Sequence, residues 1–187
     1  GIIFMMLGQL SFSINDTLVK EIVIDSSNNM SVINIIFLRG LITTFLILMF
    51  LIFYEKKNIV NIIKIKKYHQ RGIYEVLTAI CFFTGLILLP VAEVYTLLMT
   101  NPFFVTIFAF LFLKEKVGVR RWGAVAIGFI GVIFVVNPQN ISFNYLYIFP
   151  IIAAVFLTIR DIATKGIATN TNSFEIIFIT SILMTLF

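Results

Sequence analysis

Long apolar runs, separated by short polar or charged stretches, organise the whole chain. Seven such runs occupy residues 2–22, 32–54, 73–90, 94–113, 122–136, 145–164 and 174–187. None alternates polar and apolar positions with the period of two that a membrane β-strand shows over about 10 residues. A helix needs about 20 residues, at about 1.5 Å each, to cross about 30 Å of hydrocarbon. The pattern therefore predicts seven membrane helices, the fifth short and the seventh running to the last residue. Composition agrees. Of 187 residues, 60% are hydrophobic and 12% charged, against about 25% charged in a soluble domain. A soluble protein of this size has no interior large enough for so much apolar surface, so the bilayer is the expected solvent. The chain opens at Gly1, without the cleavage pattern of a signal peptide, and stops inside an apolar run. It reads as a fragment of a longer protein.

Charge then sets orientation. Lys56, Lys57, Lys64, Lys66, Lys67 and Arg71 lie between the second and third runs, and Lys114, Lys116, Arg120 and Arg121 between the fourth and fifth. Ten of the fourteen basic residues thus fall in two loops on the same side. The turn at Pro90 and Val91 and the segment 137–144 contain none. Cytoplasmic loops carry the Lys/Arg excess, so both basic loops and the N-terminus are expected inside. The membrane accounts for these clusters without a nucleic-acid partner.

A repeat underlies the pattern. Ile14-Asn-Asp-Thr-Leu-Val-Lys-Glu-Ile22 returns 145 residues later as Ile159-Arg-Asp-Ile-Ala-Thr-Lys-Gly-Ile167, with Ile, Asp, Lys and Ile in register. Ile3-Phe4 pairs with Ile148-Phe149 at the same offset. Five crossings separate the copies, an odd number, so the second copy enters from the opposite side. That is an inverted-topology repeat, and equal halves predict a whole protein of about 290 residues with ten helices. The expected fold class is an all-α membrane protein. It is a multi-helix transmembrane bundle with an inverted repeat of five helices each, of which this chain covers about seven of ten. Residues 1–137 form the first repeat and 138–187 the start of the second.

The polar positions inside the runs are the candidates for function. Positions i, i+4, i+7 and i+11 share a helix face. In the first run these are Gln9, Ser13, Asp16 and Lys20; in the sixth they are Ala154, Thr158, Asp161 and Lys165. Polar groups in hydrocarbon must face protein or water, so both stripes are candidates for a substrate pathway. The competing reading is a pair of i, i+4 ion pairs with snorkelling lysines. Arg39 lies within the second run. Arg costs about 2.5–3.5 kcal/mol at a membrane centre, and less off-centre. It needs an acidic partner, Asp16 first and Glu93 second, whether for structure or for substrate contact.

Glu93, Thr96 and Thr100 form a further stripe, followed by Asn101 and Pro102. Pro102 cannot donate to the carbonyl of Leu98 and should kink the helix there. A freed carbonyl beside hydroxyls suits a pathway lining, although ordinary membrane helices also kink at proline. Ala124, Gly128 and Gly131 make a smooth face, expected to pack within the bundle rather than to dimerise. Glu75 is expected to be a solvated carboxylate near the interface, and His69 to lie outside the spans. The single Cys81 excludes an internal disulfide. No HExxH, Walker A or Cys-x-x-Cys pattern is present. No nucleophile has a convincing base. Neither cofactor, metal nor enzymatic activity is expected.

Leu89-Pro-Val-Ala-Glu-Val-Tyr-Thr-Leu-Leu-Met-Thr-Asn-Pro-Phe-Phe104 is similar to the third-to-fourth helix region of EamA-type transporters, of the drug/metabolite transporter superfamily. Phe112-Leu-Lys-Glu-Lys-Val-Gly-Val-Arg-Arg-Trp-Gly123, Gly128-Phe-Ile-Gly-Val132 and Phe37-Leu-Arg-Gly40 continue the resemblance. It covers essentially the whole chain. The resemblance implies a two-repeat secondary transporter that moves a small organic metabolite by alternating access, in a bacterial cytoplasmic membrane. It carries over no family-wide triad onto Asp16, Arg39 or Glu93. It leaves substrate, direction, coupling ion and oligomeric state open. A non-transporting membrane assembly or receptor subunit, using the same stripes only for packing, is the alternative.

Overall fold

A computed structural model describes residues 2–25, 32–55, 62–112, 114, 116–136, 145–167 and 172–186. The helices are α1 (Ile2–Asp25), α2 (Val32–Phe50), α3 (Lys66–Leu88), α4 (Val91–Leu98), α5 (Asn101–Leu111), α6 (Val119–Val136), α7 (Ile148–Ile167) and α8 (Ser173–Leu186). A π-helical stretch, Leu51–Glu55, extends α2, and a 3-10 turn, Tyr145–Tyr147, leads into α7. Helix is the only way for such segments to satisfy their backbone within hydrocarbon, other than a closed barrel. Ile36–Phe53, Lys66–Leu88, Val91–Leu111 and Tyr145–Ile167 are each long and apolar enough to cross a membrane, and α8 is a shorter apolar helix. The chain is an all-α bundle of a multi-pass membrane protein.

Proline decides two of the boundaries. Leu89 leaves α3 in extended conformation, at φ −126° and ψ 159°, and Pro90 stands at the N-cap of α4. The expected kink at Pro102 is a two-residue tightening, at Met99 and Thr100, within one span. The fourth span runs as α4 to Leu98, turns through Met99 and Thr100, and continues as α5 with Pro102 in its first turn. A proline without N–H costs nothing there, because the first turn of a helix has no internal acceptor for it.

Two expected starts move. The third span begins at Lys66 rather than at residue 73, so Lys66, Lys67, His69 and Arg71 belong to the helix and not to a loop. The fifth span begins at Val119 rather than at 122. The loop around Lys56 and Lys57 and the segment 137–144 lie outside the described residues.

Helix α7 packs along α3 and against both α4 and α5, while α8 packs against α2 and α3. Lipid tails are as apolar as leucine, so close packing and polar contacts hold such helices together. Small residues admit the closest approaches. A Cβ on Gly40 would meet the Thr185 hydroxyl at 2.8 Å, and one on Gly85 would meet Pro150 Cγ at 2.9 Å. One buried apolar cluster gathers Leu51, Tyr68, Ile167 and Phe178; another gathers Val19, Ala79, Phe83 and Leu86. Large apolar side chains such as Phe4, Phe45, Leu46, Ile127 and Phe134 face outward, as lipid contact requires.

Candidate functional site

The two copies of the repeated aspartate lie toward opposite ends of the bundle. Helix α3 serves as a ruler. Glu75 marks the Asp161 end, through a shared arginine, and Leu89 marks the Asp16 end, through a contact with Lys20. Fourteen residues of helix separate these marks, about 21 Å.

At the Asp161 end four charges form one network. Arg160 donates from Nη1 to both carboxylate oxygens of Glu75, at 2.9 and 3.1 Å. Its Nη2 and Nε donate to Asp161 Oδ1 at 2.7 and 3.1 Å. Arg71, one turn before Glu75, reaches the same carboxylate at 3.1 Å. It also donates to the hydroxyls of Thr164 at 3.1 Å and Thr180 at 2.8 Å. Each of these hydroxyls passes its own proton to a carbonyl of its helix, at Arg160 and Ile176, both at 2.8 Å. Two cations and two carboxylates balance. Each has a partner from the opposite sign, which is what polar groups at such depth require. The network ties α3, α7 and α8 together. It also explains why Arg71 can stand in a helix.

The Asp16 end is looser. Asp16 is 6% exposed. It accepts a short hydrogen bond, 2.6 Å, from the Tyr95 hydroxyl. Arg39 lies 3.8 Å away with 40% of its side chain exposed, and its guanidinium sits 5.9 Å from the centre of the Phe12 ring. Arg39 thus approaches Asp16, the first of its two expected partners. Glu93 instead accepts from the Tyr147 hydroxyl at 3.0 Å, fastening α4 to the turn before α7. Lys20 does not pair with Asp16; it donates to the Leu89 carbonyl at 2.6 Å, just past the C-terminus of α3. A cation is favoured there by the helix dipole.

The kinked span touches both ends. Tyr95 on α4 bonds Asp16, and Asn101 on α5 reaches Asp161 Oδ2 at 3.4 Å. Thr158, fully buried, lies 2.7 Å from Asn101 Oδ1 and 2.8 Å from the Ala154 carbonyl, and gives its one proton to either. The other predicted positions are placed less tellingly. Gln9, Ser13 and Lys165 are exposed. The Thr96 hydroxyl turns back to the Ala92 carbonyl of its own helix (2.7 Å), and that of Thr100, in the turn, to the Leu97 carbonyl (2.6 Å).

Sequence reasoning missed Tyr95, Arg71 and Arg160, and placed Glu75 in solvent. Arg160 stood inside the repeated motif, and an arginine within an apolar run was itself the signal. The smooth face of α6 is also placed differently. A Cβ on Gly128 or Gly131 would meet nothing within 4 Å among the described residues. Instead Ala124 and Gly128 line a cleft of about 530 Å³ against Thr100, Asn101 and Pro102.

Comparison with known proteins decides the family. Residues 1–137 match the EamA-like transporter family. The chain belongs to that family. This EamA-like chain is 26% identical over 179 residues to a pseudopaline exporter of Pseudomonas aeruginosa, covering 95% of the chain and 61% of the exporter. It is 24% identical over 185 residues to an S-adenosylmethionine uptake transporter of Rickettsia prowazekii, covering 97% of the chain and 60% of that protein. A riboflavin transporter of Vibrio cholerae is 37% identical over 81 residues, 43% of the chain and 27% of the transporter. The chain therefore spans about three fifths of the first two relatives. No solved structure matches it.

Proposed function

We propose that this EamA-like chain forms part of a secondary carrier that moves a small organic metabolite across a membrane by alternating access. One observation carries the proposal. The fourth span is kinked near its centre, and each half holds one copy of the repeated aspartate, Tyr95 to Asp16 and Asn101 to Asp161. Alternating access needs one site that opens to either side in turn. A helix fastened at two depths, about 9 Å apart, can release one contact while keeping the other. Irregular helices at a repeat interface are where carriers place their sites. The relatives carry names of exporters and of uptake proteins for small organic solutes, which supports the solute class and leaves direction out of the proposal.

In this reading residues 1–137 are the first repeat and 138–187 open the second, in inverted topology. The basic loops support an N-terminus in the cytoplasm of a bacterial cell, with Asp16 toward the outer side and Asp161 toward the inner. Asp16, Arg39, Tyr95, Asn101, Thr158 and Asp161 border the pathway. Flux assays on the whole carrier in vesicles, with flavins and S-adenosylmethionine among the solutes, test this. Saturable flux should fall at least about tenfold in Asn101→Leu at equal membrane level, if the kinked helix meets solute in the transition between states. Flux untouched by that change would remove the kinked helix from the pathway. A folded carrier inert toward every solute would favour an assembly role. Cysteines placed at Lys64 and Asn140 in a Cys81→Ser background should label from opposite sides; both labelling from outside would reverse the orientation.

A further inference from the structure

The geometry points to a bound anionic phospholipid in the cleft between α5 and α6, its phosphate at Arg121 and an acyl chain running along the two helices. The cleft, about 530 Å³, is walled by Arg121, Ala124, Val125 and Gly128 on α6 and by Pro102 and Val105 on α5, with Thr100 and Asn101 at the end away from Arg121. On α6 these four residues form one stripe, at i, i+3, i+4 and i+7. The small residues Ala124 and Gly128 leave the trough open, since nothing among the described residues lies within 4 Å of where a Gly128 Cβ would stand. Thr106, on the opposite wall, sends its hydroxyl to the Pro102 carbonyl at 2.8 Å and so offers no free donor to the cleft.

Only one end is charged. Arg121 is exposed and has no ion pair among the described residues. Between residues 114 and 121 the chain carries Lys114, Lys116, Arg120 and Arg121 against one acidic residue, Glu115. Moving away from Arg121, the cleft reaches the stacked rings of Phe103 and Phe129, 5.3 Å between centres. A second cleft of about 400 Å³ shares those two rings and continues to Val132, Ile133 and Ile151. From Arg121 to Ile133 is about 18 Å of helix, close to the roughly 15 Å depth of one leaflet's hydrocarbon. A cation at the mouth and a largely apolar trough one leaflet long match a headgroup phosphate and its chain. A soluble anion would use only the mouth, and a neutral lipid would use only the trough. Basic pockets between membrane helices on the cytoplasmic side are known sites for anionic headgroups. Lipid seated here requires the bilayer but not transport.

Native mass spectrometry of the protein, exchanged into mixed micelles of phosphatidylglycerol and phosphatidylcholine, tests this. Phosphatidylglycerol should be retained in preference, and Arg121→Gln should cut that preference about fivefold, the size expected for one basic residue near an anionic surface. Arg121→Lys should keep most of it, and Lys116→Gln, with the same loss of charge outside the cleft, should change it little. Gly128→Leu should reduce retention of both lipids by filling the trough. Equal retention of the two lipids by the unaltered protein would overturn the proposal. So would a preference that survives Arg121→Gln. Efficient disulfide cross-linking of two chains through Gly128→Cys would also overturn it, by naming a second copy as the occupant.

Discussion

Asp16 and Asp161 hold the same place in two copies of one motif, yet they are neutralised in different ways. Asp161 has its cation beside it in sequence, because Arg160 precedes it. The first copy has Asn15 at that position. Asp16 must therefore draw on other helices. It obtains a neutral donor, Tyr95, at 2.6 Å, and a cation, Arg39, only at 3.8 Å. One substitution between the copies thus separates a tightly latched end from a loosely latched one. Arg160 also spans to Glu75, so charge joins α7 to α3, and Arg71 adds a hydrogen bond to Thr180 on α8. The Asp16 end has no comparable cross-link among the described residues. In a carrier, the loosely held end is the one that opens at smaller cost.

Three measurements probe the difference, taken on the purified protein in detergent. The largest effect is expected at the tight end. Arg160→Gln removes four charge-assisted hydrogen bonds at once, and with the Asp161 side chain 39% exposed the loss, screened by solvent, should be about 2–3 kcal/mol. The double change with Glu75→Gln restores charge balance and should recover part of the thermal stability. Simple addition of the two losses would show that the network does not act as a unit.

At the loose end the leading partner is the tyrosine. Tyr95→Phe removes a hydrogen bond to a buried carboxylate and should cost about 1.5–3 kcal/mol. The smallest effect is expected for Arg39→Gln, at about 0–1 kcal/mol, because the pair is long, 3.8 Å, and its arginine is 40% exposed. If Arg39→Gln proves more damaging than Tyr95→Phe, the ion pair rather than the hydrogen bond holds this end. The contrast drawn above would then fail.

Much of this was visible in the chain. The apolar runs announced the spans, since hydrocarbon admits only helices of sufficient length or closed barrels. The motif announced the paired aspartates. Pro102 announced the kinked span, because its missing N–H acts locally. The third span was started too late, at residue 73, because Lys66, Lys67 and Arg71 read as loop residues. Lys66 and Lys67 stay exposed at the start of the helix, and only Arg71 draws on partners from elsewhere. Arg71 finds Thr164 and Thr180, some 93 and 109 residues away.

Local chemistry, then, settled which segments are apolar helices, where a helix must kink and which charges lie too deep to stand alone. Those properties follow from hydrogen-bond satisfaction and transfer cost, which act residue by residue. Which groups meet was settled only by the packing of the helices. Tyr95 meets Asp16 across 79 positions and Arg160 meets Glu75 across 85. Thr96, on the same predicted stripe as Glu93, turns back to its own backbone. The rotation and depth of each helix against its neighbours decide such pairings. Both depend on side-chain fit between segments distant in sequence, such as Thr185 at Gly40 and Pro150 at Gly85, which no periodic pattern within one segment encodes.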